Sequence, residues 1–187
     1  MEITIGIPAF NEEKNISEII RKLQKITDKI IVCDDGSSDS TGKIAREMGV
    51  IVIKHERNLG YGAAIRSIFL KAREQKSEFL ITMDSDGQHR IEDIQIILEP
   101  IKNGQADLVI GSRFLDHNGK NVPAYRKIGI KILTKLANTS LNQNITDSQS
   151  GFRGYGKKII EEIMPSESGM GVSNEILIKA SKKRFKI

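Results

Sequence analysis

The chain has 187 residues, 39% hydrophobic and 28% charged, enough apolar material for one globular domain and too balanced for a disordered one. A single cysteine, Cys33, excludes a disulfide framework and a cysteine-rich zinc site and fits a reducing, cytoplasmic setting. No run approaches the ~20 apolar residues of a spanning helix, and the N-terminus lacks the basic region of a signal peptide. The net charge of +5 is uneven, with 16 Lys+Arg against 19 Asp+Glu in residues 1–119 and 13 against 5 in residues 120–187. That asymmetry suggests a metal or nucleotide site in front and an anionic partner behind, although a merely solvated basic surface explains the back equally well.

Ile3 to Ile7 is a β-branched run stopped by Pro8, and from Glu12 the spacing Ile16, Ile19, Ile20, Leu23, Ile26 predicts a helix. The unit repeats as strand Lys29 to Cys33 with helix Thr41 to Met48, then strand Val50 to Lys54 with helix Ala63 to Glu74. Strand Glu78 to Met83, helix Ile91 to Lys102 and strand Asp107 to Ile110 follow. Alternating elements with nearly continuous apolar strands predict an α/β fold around a mostly parallel sheet, with ligands gathered at the strand C-terminal ends. Residues 116–124 read as a loop and Tyr125 to Asn142 as a helix, with Lys127, Lys131 and Lys135 on one face and Ile128, Ile132 and Leu136 beside them. Such a helix suits a membrane interface, or simply packs on the domain.

Polar motifs sit after each strand: PAFNEE, DDGSSDST, NLGYG, MDSDGQH and GSRF. Asp84 and Asp86 at a strand mouth suit a hard divalent cation, Mg2+ or Mn2+, bridged to a diphosphate, with Gln88 adding an oxygen and Gly87 the turn; two solvated acids in a turn are the plain alternative. His89 reads as a packing residue. GYGAAI does not read as a dinucleotide fingerprint, because it follows the third strand and lacks the third glycine; Gly60 and Gly62 instead let a helix N-terminus approach the sheet or a ligand. DDGSSDST reads partly as a capped helix start, with Asp39 or Ser40 as the cap.

In this order IPAFNEEKNI, VCDDGSSDST, NLGYGAAI, MDSDGQH and GSRF resemble an inverting family 2 glycosyltransferase of the GT-A fold, and DSQSGFRGY resembles its dolichol-phosphate mannose synthase branch. The resemblance implies a GT-A, Rossmann-like three-layer sandwich as a single domain over 1–187, with a nucleotide-sugar half at 1–112 and an acceptor half at 113–187. It also implies that Pro8, Asn11 and Glu12 lie along the nucleotide and that Asp35, with Asp34, reads the base. Asp84, Asp86 and Gln88 would hold the metal and sugar diphosphate, with Asp86, Arg113, Arg126 and Arg153 as the catalytic group. Arg113, Arg126, Ser150 and Arg153 would bind an acceptor phosphate, for which a guanidinium is well shaped. The implied partners are GDP-mannose or a UDP-hexose, a polyprenyl or dolichyl phosphate, and a membrane surface met by residues 126–142 on the cytoplasmic face, with no nucleic acid.

Three departures stand out: Arg90-Ile91 where many relatives have prolines, Gly151 where some glucose-transferring relatives have an acid, and an end at KKRFKI where relatives continue, as in a truncated or minimal member. UDP-glucose or UDP-N-acetylglucosamine in place of GDP-mannose, and a non-catalytic nucleotide-sugar binder, are the alternatives. DSDG also imitates the start of haloacid-dehalogenase-type phosphohydrolases, but here it follows the fourth strand and continues with Gln88.

Overall fold

The apolar runs of the front become strands of one sheet in the computed structural model, which describes residues 3–85, 90–114, 129–132, 134–135, 138–139 and 145–187. In chain order the elements are β1 (Ile3–Ala9), α1 (Ile16–Leu23), β2 (Ile30–Asp34), α2 (Thr41–Glu47), β3 (Ile51–Lys54) and α3 (Tyr61–Glu74). They continue with β4 (Phe79–Thr82), α4 (Asp93–Lys102), β5 (Leu108–Ile110), β6 (Arg153–Gly156), α5 (Lys157–Glu162) and α6 (Val172–Lys182). The sheet order is β3-β2-β1-β4-β6-β5. β1 is parallel to β2 and β4, and β2 to β3, whereas β6 is antiparallel to both β4 and β5.

β1 runs two residues beyond the expected stop, through Pro8. The Ile5 N–H donates to Lys29 O on the β2 side, so odd residues of β1 address β2 and even ones address β4. The β4 ladder ends at the Gly6–Thr82 pair, so the N–H that Pro8 lacks has no ladder partner to lose.

Alternation along the strands feeds two cores. Ile31, Cys33 and Leu80 face α3, α5 and α6 on one side; Ile30, Val32 and Ile81 face α1 and α4 on the other. The sequence pattern missed β6, α5 and α6. RGYG has the composition of a turn, but its glycines are steric: a Cβ on Gly154 would come within 2.5 Å of Ile97 Cγ2 and 2.9 Å of Ile101 Cδ1 on α4. The side-chain-poor strand lets α4 lie directly on the sheet. β6 also carries residues of 113–187 into the middle of a sheet otherwise built from 1–112.

Of the helix expected over 125–142, the described residues 129–132, 134–135 and 138–139 are helical. Ile130 and Thr134 are buried, Lys131 and Lys135 are exposed, and Ile132 is 56% exposed. Tyr125, Lys127, Ile128, Leu133, Leu136 and Ala137 lie outside the described residues, or have no described side chain. At the far edge, the N–H groups of Asp107 and Leu108 donate to Lys186 O at 2.8 and 3.1 Å.

The loop before α6 is held by Glu175, whose carboxylate accepts the N–H groups of Ser166 and Glu167 and pairs with Lys179. Partial burial pushes Glu175 up, but Lys179, Ser166 and the Glu167 N–H outweigh it and bring the pKa down to about 2 from an ordinary 4.5. A depressed carboxylate stabilises the fold fully above its unfolded value, and the contribution fades as pH falls through the folded one. Wild type should therefore lose stability relative to Glu175→Gln between pH 4.5 and 2, as read by urea unfolding across that window. Gly154→Ala, which drives a methyl into Ile97, should destabilise by about 1–3 kcal/mol in the same assay.

Candidate active site

Strand order reverses between β1 and β4, and an open α/β sheet has its crevice at such a point. A cleft of about 350 Å3 opens there. Pro8 comes to it from the end of β1, Phe10 and Glu12 from just beyond, Asp35 from just after β2, Asn58 from after β3, Tyr61 from the start of α3, and Asp84 and Ser85 from after β4. Phe10, Asn58, Tyr61 and Ser85 were not singled out in the sequence; only their place in the polar motifs that follow strands marked them.

Side chain to backbone bonds tie the loops together. The Asn11 N–H donates to Ser37 Oγ at 2.9 Å and Asn11 Oδ1 accepts the Ser38 N–H at 2.9 Å. The Glu12 N–H donates to Thr41 Oγ1 at 2.8 Å and the Glu13 N–H to Asp39 Oδ2 at 3.1 Å. Asp39 also accepts the Thr41 N–H and hydroxyl, so of the two expected caps of α2 it makes the bonds, while Ser40 holds the cap position without a side-chain bond. Asn11 sits at φ 55°, a left-handed conformation that asparagine tolerates. Its side chain is used between loops, and it does not line the cleft.

Asp34 and Asp35 divide. Asp34 is 1% exposed, and its Oδ1 accepts the Ser37 N–H at 2.9 Å, away from the cleft. Asp35 lines the cleft and accepts the N–H groups of Leu59 at 3.0 Å and Gly60 at 2.9 Å. Gly36, at φ 75°, makes that approach possible, since a Cβ there would strike the backbone of Arg57 and Asn58. The N-terminus of α3 meets a loop: the N–H groups of Gly62 and Ala63 donate to Ser168 O at 2.8 and 3.2 Å. Burial, then Asp35, raises the Cys33 thiol to about 12, so it stays protonated at neutral pH.

Asp84 borders the cleft beside Tyr61. Burial first, and the Asp84 charge second, push the Tyr61 phenol well above its ordinary range, so it stays protonated and hydrogen-bonded to Asp84. Asp86, Gln88 and His89 lie outside the described residues, as does Arg126. Among the described residues no group of three His, Cys, Asp or Glu gathers into a metal cage.

The residues expected at an acceptor, so far as they are described, converge on 147–153. Arg113 pairs with Asp147 through Nε at 2.7 Å and Nη2 at 2.9 Å. Arg153, expected to grip a phosphate, is 2% exposed and donates to the carbonyls of Ser150, Ser173 and Ser148 at 2.8, 2.8 and 2.6 Å. Those bonds make it the internal brace of this segment. Ser150 is likewise buried, and its Oγ accepts the Phe152 N–H at 3.3 Å. Thr82 Oγ1 donates to Gly151 O at 2.9 Å, and a Cβ on Gly151 would run into the Asp84 carboxylate. The segment therefore abuts the cleft at Asp84.

Residues 4–164 match the pattern of Glycosyl transferase family 2. The chain belongs to this glycosyltransferase family. Over 99% of its length it is 36% identical to the UDP-N-acetylglucosamine–dolichyl-phosphate N-acetylglucosaminyltransferase of Methanococcus voltae, covering 82% of that protein. It is 34% identical, over 96% of its length, to the dolichol-phosphate mannosyltransferase of Pyrococcus furiosus, of which it spans 53%. Its fold is GT-A: the glucosyl-3-phosphoglycerate synthase of Mycobacterium tuberculosis, solved with UDP, superposes with a TM-score of 0.77 at 20% identity. That alignment covers 98% of this glycosyltransferase and 66% of the synthase, which was also solved with Mn2+ and UDP-glucose.

Two outcomes check this geometry. Cys33 should resist iodoacetamide in the folded protein and react on denaturation, as followed by mass spectrometry. Arg153→Lys, which cannot span three carbonyls, should lower stability by about 1–3 kcal/mol in urea unfolding.

Proposed function

We propose that this glycosyltransferase moves a hexose, with inversion, from a nucleotide-diphosphate sugar to a polyprenyl or dolichyl phosphate in a reaction that depends on a divalent cation. The observation that carries the reading is the cleft itself. Asp35 and Asp84 both line it, and Gly151 of the 147–153 segment lies against the Asp84 carboxylate. Two relatives named for transfer to dolichyl phosphate support the acceptor class.

In this reading Asp35 recognises the base, while Pro8 and Glu12 flank the nucleotide. Asp84 offers a hard oxygen donor at the cleft wall, the chemistry that Mg2+ or Mn2+ prefers, and Asp86 with Gln88 would complete the protein's share. A divalent cation held there supplies positive charge to the departing nucleoside diphosphate. Tyr61, kept protonated, steadies Asp84 by its hydrogen bond. The acceptor phosphate, with a second pKa near ~6, is largely dianionic at neutral pH and needs no strong base to attack the anomeric carbon. Arg113, a third exposed and oriented by Asp147, would orient it, Arg126 would share that task, and Arg153 would act by bracing the segment.

The reading divides the chain into a nucleotide-sugar half at 1–112 and an acceptor half at 113–187. It includes peripheral attachment to the cytoplasmic face of a membrane through 126–142, where Ile132 is exposed beside exposed Lys131 and Lys135. Among the described residues no helix is long and apolar enough to cross a membrane.

Calorimetric titration with GDP-mannose, UDP-glucose and UDP-N-acetylglucosamine, with and without Mn2+, tests the donor half; transfer to a detergent-dispersed polyprenyl phosphate tests the acceptor half. One donor should bind with metal, and Asp84→Ala should weaken it at least about tenfold. Absence of binding by every donor, or binding without transfer, would sink the reading.

A further inference from the structure

Asp35 reaches the cleft with most of its hydrogen-bonding capacity already used. Its Oδ1 takes the Leu59 N–H at 3.0 Å and His55 Nδ1 at 2.6 Å, and its Oδ2 takes the Gly60 N–H at 2.9 Å. A carboxylate accepts at about four lone-pair positions, so one remains, on Oδ2. His55 is itself held, with Nε2 2.9 Å from Ser67 Oγ and 3.6 Å from the Cys33 sulfur. Because Nδ1 faces a carboxylate, it carries the proton whether the ring is neutral or charged. In the neutral ring, Nε2 accepts from the Ser67 hydroxyl. His55 follows β3 and Ser67 lies on α3, so two elements lock the carboxylate from behind.

We propose that His55, backed by Ser67, is a specificity-determining positioning residue: by filling Oδ1 it leaves Asp35 one acceptor, which selects a uracil nucleotide over a guanine nucleotide. The proposal rests on the reading of Asp35 as the base-recognising carboxylate. Uracil presents a single N–H between two carbonyl oxygens, matching one open lone pair. Guanine presents an N–H and an amino group side by side, a pair that a carboxylate grips through both oxygens when both are open. Here the second donor meets an oxygen already holding two hydrogens, and a donor left unpaired inside a site is costly. The imidazole thus acts through Asp35 on the choice of base and touches neither the sugar nor the phosphates.

The test is titration of UDP and of GDP, each with Mn2+, into wild type, His55→Ala, Ser67→Ala and Asp35→Asn, with thermal unfolding of each variant. Wild type should prefer UDP by at least about tenfold. His55→Ala opens a lone pair on Oδ1, so the UDP-to-GDP preference should shrink several-fold; Ser67→Ala should shrink it less. A wild type that binds GDP as tightly as UDP overturns the proposal, as does a folded His55→Ala with an unchanged preference. Should His55→Ala fail to fold, an unchanged preference in Ser67→Ala overturns it instead. If Asp35→Asn leaves both affinities intact while wild type binds them, the base-reading role of Asp35 fails, a separate result from a preserved role with the wrong preference.

Discussion

The seam along β4 is the constraint on which the site depends. On one side β4 is parallel to β1, and on the other antiparallel to β6, so a strand from late in the chain is clamped into a sheet that the first half began. The Thr82 hydroxyl, two residues before Asp84, extends the clamp by bonding the Gly151 carbonyl. Because Gly151 has no side chain, the Asp84 carboxylate and the 147–153 segment share one small volume.

Around that seam the cleft is preorganised by bonds that run between loops. The turns after β1 and β2 are joined through Asn11, Glu12, Glu13, Ser37, Asp39 and Thr41, and the turn after β3 is joined to β2 through Asp35. Positioning groups before a ligand arrives reduces the ordering that binding must do. Buried Arg153 does the same for 147–153: one planar cation satisfies the segment's Ser148 and Ser150 carbonyls and ties them to the Ser173 carbonyl on α6.

Five strands and four helices of the front were legible because Ile, Val and Leu recur there with periods of two or of three to four, a pattern that survives without knowledge of neighbours. Their ends shifted by a residue or two, except that α1 stops at Leu23, three residues before Ile26; at Pro8 the overrun depends on where the β4 ladder stops. β6 was illegible because its glycines are demanded by Ile97 and Ile101 on a different element, a requirement with no local trace. In the cleft, acids and glycines announced themselves by type, so Asp35 and Asp84 were found. Tyr61, Asn58 and His55 were not, since a tyrosine, an asparagine or a histidine acquires meaning only from what the fold sets opposite it. Arg153 illustrates the converse: its residue type suits a phosphate, but its surroundings turn it inward.

The Lys186 carbonyl that receives two N–H groups from the start of β5 has a consequence for solubility. β5 is the outermost strand on its side, and unpaired amides on such a strand are a template for joining sheets from separate molecules. Covering Asp107 and Leu108 with the Lys186 backbone leaves little of that three-residue strand to recruit a neighbour, and the Lys186 charge further discourages edge-to-edge stacking. Resistance to aggregation thus comes from a backbone contact at the opposite edge of the sheet from the strand β3.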